Sequence, residues 1–148
     1  MASVDVEVQA TIARPRPTVA AYCCEPDNAT SWYANIDWVR WETPRPMTVG
    51  SRFTFSARFL GRPLNYTYEV VEWTPAERFV MRTAQGPFPM ETTYTFEDTP
   101  DGATLMRLRN RGEPAGFSRI AAPIMAPAIK RATEKDLRRL KSILEGQR

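Results

Sequence analysis

The sequence predicts an α+β domain: a curved sheet of seven antiparallel strands, two short helices between the first and second strands, and one long C-terminal helix. Three observations predict it. Apolar and polar residues alternate at period two through residues 4–12 and again through most of 52–111. Turn sequences separate those runs at Gly61-Arg62, at Thr74-Pro75-Ala76-Glu77 and at Thr99-Pro100-Asp101-Gly102-Ala103. Apolar residues at helical spacing then fill the C-terminal segment. The 148 residues fit one domain, 1–148, and show no internal repeat, linker or low-complexity stretch.

Each element follows from local chemistry. Val4, Val6, Val8, Ala10 and Ile12 alternate with Asp5, Glu7, Gln9 and Thr11, which is a strand with one wet face. Arg14-Pro15-Arg16-Pro17 ends it. Thr18 to Cys24 reads as a short helix, and Asp27 is placed to cap a second one running to Tyr33. Trp38, Val39 and Trp41 mark the second strand, which Thr43-Pro44-Arg45-Pro46 stops.

A hairpin joins Arg52–Leu60 to Pro63–Trp73 through Gly61-Arg62, with glycine first as a type II′ turn prefers. That turn pairs Phe59 with Leu64, Ala57 with Tyr66, Phe55 with Tyr68 and Phe53 with Val70. A fifth strand covers Arg78–Ala84 and a sixth Met90–Glu97. Pro100-Asp101-Gly102 predicts a type I turn closed by a left-handed glycine. Phe96 then faces Met106, Tyr94 faces Leu108 and Thr92 faces Asn110, with Thr95/Arg107, Thr93/Arg109 and Glu91/Arg111 on the other face. In the tail, Leu137, Leu140, Ile143 and Leu144 share one helix face, continued upstream by Ile124, Ala128, Ile129 and Ala132. Gly146 is a stop signal. Pro123 and Pro127 leave two readings: a helix from about Pro123 that tolerates a kink at Pro127, or a looser entrance over 117–127.

Composition narrows the class. Apolar residues make up 43% and charged residues 25%, enough for a core and too apolar for disorder. No run approaches the roughly 20 apolar residues of a bilayer span, and the acidic, alternating N-terminus differs from a signal peptide. The expectation is a cytoplasmic protein with no stable membrane insertion; its Arg, Ala and Pro richness fits a GC-rich bacterial genome. Residues 128–148 carry seven basic and three acidic side chains, so the net charge of +3 belongs to one segment. Nucleic acid is therefore not expected as a partner. The cysteines, Cys23 and Cys24, are adjacent and there is no histidine. That argues against a disulfide, a metal site and any triad built on histidine; the pair reads as small buried side chains. The sequons at Asn28 and Asn65 read as chance matches.

One helix is about 10 Å wide and seven strands span roughly 30 Å. A curved sheet held against a single helix therefore leaves facing apolar surfaces apart, which favours an internal cavity. Val49-Gly50-Ser51-Arg52-Phe53, the run from Val70 to Phe79 (VVEWTPAERF), Asp101-Gly102-Ala103-Thr104-Leu105 and Leu140-Lys141-Ser142-Ile143-Leu144-Glu145 resemble the START/polyketide cyclase-like superfamily, also called SRPBCC or helix-grip. The resemblance covers essentially the whole chain and implies the helix-grip fold with a pocket for lipids, sterols, polyketides or hormones. Some members are aromatases, cyclases or oxygenase subunits. No catalytic motif of the family is present, so no catalytic residue carries over.

The pairing puts Phe53, Phe55, Phe59, Leu64, Tyr66, Tyr68, Met90, Thr92, Tyr94, Phe96, Met106, Leu108 and Asn110 on the concave face. Aromatic area with a few Tyr, Thr and Asn groups suits a mainly apolar ligand carrying carbonyls or hydroxyls. Binding of such a small hydrophobic molecule, with no cofactor and no metal, is the first expectation. The second is a cofactor-independent polyketide aromatase/cyclase or dehydratase using Tyr, Arg or Glu. The third is a protein-interaction module with a filled core. Strand parity puts Glu72 beside Tyr66 and Tyr68 if no bulge intervenes, making it the one catalytic candidate. Arg40 and Glu42 share a face with Trp38, whose direction the sequence leaves open, and Arg107, Arg109 and Arg111 form a row on the outer face. The oligomeric state, monomer or homodimer, is also left open.

Overall fold

The computed structural model describes residues 4–59, 61–85, 89–112 and 122–146. Strand β1 (Val4–Ile12) is followed by helix α1 (Arg16–Cys23), a 3-10 turn (Pro26–Asn28) and helix α2 (Ala29–Trp32). Strands β2 (Ile36–Trp41), β3 (Arg52–Phe59), β4 (Arg62–Thr74), β5 (Arg78–Gln85), β6 (Met90–Asp98) and β7 (Thr104–Gly112) lead to helix α3 (Ala122–Gly146). The seven strands form one antiparallel sheet in the order β1-β7-β6-β5-β4-β3-β2. This is the helix-grip arrangement.

The β6–β7 hairpin has the expected register throughout, from Glu91↔Arg111 to Glu97↔Leu105. Its turn closes with the Thr99 N–H donating to Ala103 O at 2.9 Å and with Gly102 at φ +82°, a left-handed position that glycine fills without strain. The β3–β4 hairpin differs. Its partners are Phe53↔Tyr68, Phe55↔Tyr66, Ala57↔Leu64 and Phe59↔Arg62, a shift of two residues from the expected pairing. The turn lies one residue earlier than Gly61-Arg62, because Arg62 pairs inside the ladder while Gly61 takes φ +77°. A shift of two moves partners without exchanging faces, so the aromatic side stays inward.

Asp27 does not cap a helix. The Glu25 carboxylate accepts from the Asp27 N–H at 3.3 Å, while the Asp27 carboxylate accepts from Trp41 Nε1–H at 3.0 Å and pairs with Arg45. Trp38 points outward, 39% exposed, with the Arg40 guanidinium 5.5 Å from its ring centre. Arg40 in turn donates to Glu42 at 2.6 Å, so this trio lies on the outer face.

The core extends from β1 across the sheet to Phe53 of β3, Val70 of β4 and Phe79 of β5. Val4, Val6, Val8 and Ile12 join Val19, Cys23, Phe96, Met106 and Leu108, closed by Leu137, Leu140 and Leu144 of α3. The end of α3 is tied back to β1: Glu145 accepts from the Ala13 N–H at 2.8 Å, and Arg14 donates to Leu144 O at 3.3 Å, where a cation suits a helix C-terminus. Of the two readings of the prolines, the continuous helix holds over the described residues, with Pro127 inside α3; residues 113–121 lie outside them.

Candidate functional site

The apolar stripe of α3 changes character along its length. Its second half presents leucines and seals the core, whereas its first half presents Ala128, Ile129, Ala132, Thr133 and Asp136. Small side chains there cannot reach the sheet, and a cavity of about 510 Å³ remains. The sheet supplies its floor through Phe55, Tyr66, Tyr68, Phe79, Met81, Met90, Thr92, Tyr94 and Asn110. The α1–α2 region supplies a side wall through Cys23, Cys24, Trp32 and Tyr33. Exposed residues Ala34, Asn35, Arg58, Arg131 and Lys135 ring its mouth.

Of the residues expected from sequence, Phe55, Tyr66, Tyr68, Met90, Thr92, Tyr94 and Asn110 line this cavity. Phe53, Phe96, Met106 and Leu108 do not: they are buried in the core, with Met106 Sδ 3.7 Å from Cys23 Sγ. Leu64 is half-buried outside the lining, and the side chain of Phe59 lies outside the described residues. Glu72 is a correction. The β4–β5 register shifts between Val70 and Glu72, so the parity that would have aligned Glu72 with the tyrosines is broken. It is exposed and accepts from Arg78 at 3.1 Å.

Sequence reasoning missed the helical half of the lining. The readable signal was two polar residues, Thr133 and Asp136, on the otherwise apolar stripe of α3. Both are buried. Thr133 donates to its own helix at Ile129 O, 2.7 Å away, and so needs no outside partner. Asp136 Oδ1 accepts from the Ala34 N–H at 3.1 Å, tying α3 to the chain between α2 and β2. Tyr33 and Asn35 flank this tie: Tyr33 bonds hydroxyl to hydroxyl with Tyr94 on β6, and Asn35 O accepts from the Arg58 N–H of β3 at 2.8 Å. Three consecutive residues thus connect three different elements at the mouth.

Burial sets the protonation of these groups. It pushes the hydroxyls of Tyr33, Tyr68 and Tyr94 upward and that of Tyr66 to about 12, so all four remain neutral donors at physiological pH. It raises the Cys24 thiol to about 12 and that of Cys23 as well, which leaves neither as a thiolate. Asp136 differs: burial raises its carboxyl to about 6, against opposing pulls from the Ala34 N–H and the Arg139 charge. It is the cavity group whose charge changes closest to neutrality. Thr92 donates to Asn110 Oδ1 at 2.8 Å, and among the described residues buried Trp32 Nε1–H has no acceptor. The cavity therefore offers apolar walls, neutral donors and one carboxyl.

The outer face is chemically closed. Arg107 donates to Glu97 at 2.6 Å, Arg109 to Asp5 at 2.7 and 2.8 Å, and Arg111 to Glu91 at 3.3 Å. These exposed pairs neutralise the arginine row, so it is a solvated face. Among the described residues no group of His, Cys, Asp and Glu is arranged to hold a metal ion, and no helix is long and apolar enough to cross a membrane.

A model of the family "polyketide cyclase / dehydrase and lipid transport" matches residues 3–145. The chain belongs to that family. Membership makes it a ligand-binding domain of the START/polyketide cyclase (SRPBCC) superfamily. Among solved structures, the TTHA0849 protein of Thermus thermophilus superposes with a TM-score of 0.81 at 16% identity, covering 96% of this chain and 97% of that one. The Zhui aromatase/cyclase of a Streptomyces species gives 0.81 at 14% identity, covering 97% and 94%. A START superfamily protein of Mycobacterium smegmatis gives 0.71 at 16% identity, covering 97% and 95%. At these identities the likeness is one of fold. A sequence comparison with curated proteins finds no match.

Proposed function

We propose that the protein binds one small, mainly apolar molecule in the cavity between the sheet and the first half of α3. The observation that carries this reading is the cavity itself: about 510 Å³, walled by aromatic and aliphatic side chains and open at one end. That volume leaves the filled-core, interaction-module reading without support. Tyr66, Tyr68 and Tyr33 are neutral donors, so carbonyl or hydroxyl oxygens on an apolar frame are the complementary chemistry. Native mass spectrometry of the purified protein, followed by organic extraction, tests the reading. The expected result is a co-purifying hydrophobic molecule, or uptake of the neutral fluorophore N-phenyl-1-naphthylamine by empty protein. A protein that carries nothing and takes up no such probe overturns it.

A second reading, a cofactor-independent aromatase/cyclase or dehydratase, is favoured by one observation. Asp136, with its carboxyl near 6, lines the same cavity as four tyrosine hydroxyls. Such a group can take up and return a proton at neutral pH while a tyrosine donates to an enolising carbonyl. Its test is turnover of a poly-β-ketone mimic by wild type against Asp136→Asn. Loss of turnover with binding retained supports catalysis; no turnover by wild type leaves a carrier.

A further inference from the structure

We propose that the ligand is an amphipathic anion, with its apolar body in the cavity and one acidic group at the mouth between Arg131 and Lys135. This rests on the cavity-binding reading above and sharpens it to a ligand class. Arg131 and Lys135 stand one helical turn apart on α3; both line the cavity and both are exposed. Among the described residues, no ion pair engages either one, whereas the third cation of the rim, Arg58, is held by Asp37 through two hydrogen bonds at 2.8 and 3.1 Å. The sheet arginines follow the same habit, Arg52 pairing with Glu69 and Arg109 with Asp5. Lys130, Arg138 and Arg139 of α3 are likewise outside the ion pairs of the described residues, so what sets Arg131 and Lys135 apart is their place side by side on the cavity lining.

The interior completes the argument. The described lining has no cation below the rim; it has neutral hydroxyls and the Asp136 carboxyl. An acidic group carried to the floor would lose water, gain no counter-charge and meet a carboxylate. At the mouth it keeps its water and gains two cations, whose aliphatic stems also cover the shoulder of the apolar body. Charge thus selects one orientation of a singly anionic ligand and none of a neutral one.

The test compares 1-anilinonaphthalene-8-sulfonate with N-phenyl-1-naphthylamine, which share one ring frame and differ by the sulfonate. In wild-type protein each should displace the other. In Arg131→Gln/Lys135→Gln the anion should lose about three- to tenfold in affinity, the range of two exposed charge contacts, while the neutral probe stays within about twofold. Added salt should weaken the anion alone. Arg138→Gln removes one positive charge from an exposed position of α3 outside the cavity lining and should change neither probe. Equal losses for both probes, an unchanged anion in the double variant, or the same loss in Arg138→Gln would overturn the proposal while the cavity stands. Failure of the neutral probe to enter wild-type protein overturns the cavity reading instead. Thermal melts of all variants keep misfolding apart from lost binding.

Discussion

Replacing Asp136 with asparagine should stabilise the ligand-free protein at neutral pH and leave it nearly unchanged at pH 4. The carboxyl is buried at the cavity wall and titrates near 6 in the folded chain, against an ordinary 3.8 when unfolded. Between those values the folded state holds a proton that the unfolded state has released, so stability falls as pH rises through the interval. Above about pH 6 the loss is complete. Two units correspond to roughly 3 kcal/mol, and water reaching the cavity reduces that to about 1–2 kcal/mol. Asparagine keeps an oxygen for the Ala34 N–H and carries no charge, so it removes the loss and retains the tie.

The assay is urea unfolding of both proteins at pH 4, 5, 6, 7 and 8, followed by tryptophan fluorescence. The expected signature is a difference near zero at pH 4 that grows to about 1–2 kcal/mol in favour of the variant by pH 7. Carboxylates held low by arginine partners, such as Asp5 beside Arg109, Asp27 beside Arg45 and Glu91 beside Arg82, lose their contribution only as pH falls below the ordinary carboxylate range. Present in both proteins, they cancel in the difference. A variant less stable by the same amount at every pH would refute the reasoning, as would an Asp136 carboxyl carbon titrating near 4 by NMR.

Three further outcomes are expected. Ala132→Trp places an indole in the cavity from α3 and should cut uptake of N-phenyl-1-naphthylamine at least about tenfold; because Ala132 is exposed, melting should move little, and unimpaired uptake would place the ligand elsewhere. Leu140→Ala empties a fully buried position in the core and should cost about 2–5 kcal/mol in urea unfolding, with a smaller loss for Ile143→Ala, whose half-buried side chain packs against the edge of that core. Pro127 removes one hydrogen bond inside α3, so hydrogen exchange over residues 122–127 of the helix should be faster than over 130–145; equal protection along the helix would show that the proline loosens nothing.

The fold was legible because each strand repeats its own evidence. In β1 the alternation names every buried position, and in β6–β7 the Pro-Asp-Gly turn fixes a register that propagates along the whole hairpin. What could not be read was non-periodic. The bulge at Val71 has no distinctive residue to announce it, yet it turns Glu72 from the tyrosine face to solvent. Glycine first in the β3–β4 turn is the type II′ expectation, whereas the paired Phe59 and Arg62 put Gly61 second. The division of the concave face into core and cavity depends on where α3 lies across the sheet. Strand parity cannot distinguish Phe96 and Met106, under the leucines, from Thr92 and Asn110, under the alanines.

That division shows how the cavity is kept open. A cavity survives only where its walls are prevented from collapsing into contact, since close packing is otherwise favoured. Here the second half of α3 is anchored by Leu137, Leu140 and Leu144 and by its ties to Ala13 and Arg14, which fix the height of the helix above the sheet. The first half is held at that height as a continuation of the same helix, with Asp136 bonded to Ala34 as a strut from the side. Ala128 and Ala132 are then too short to fill the gap, and the Tyr33–Tyr94 bond braces the opposite wall. Enlarging a helix residue should therefore abolish binding at little expense to stability. Removing a leucine from the anchored half should damage both, because that half sets the height of the cavity wall above the sheet.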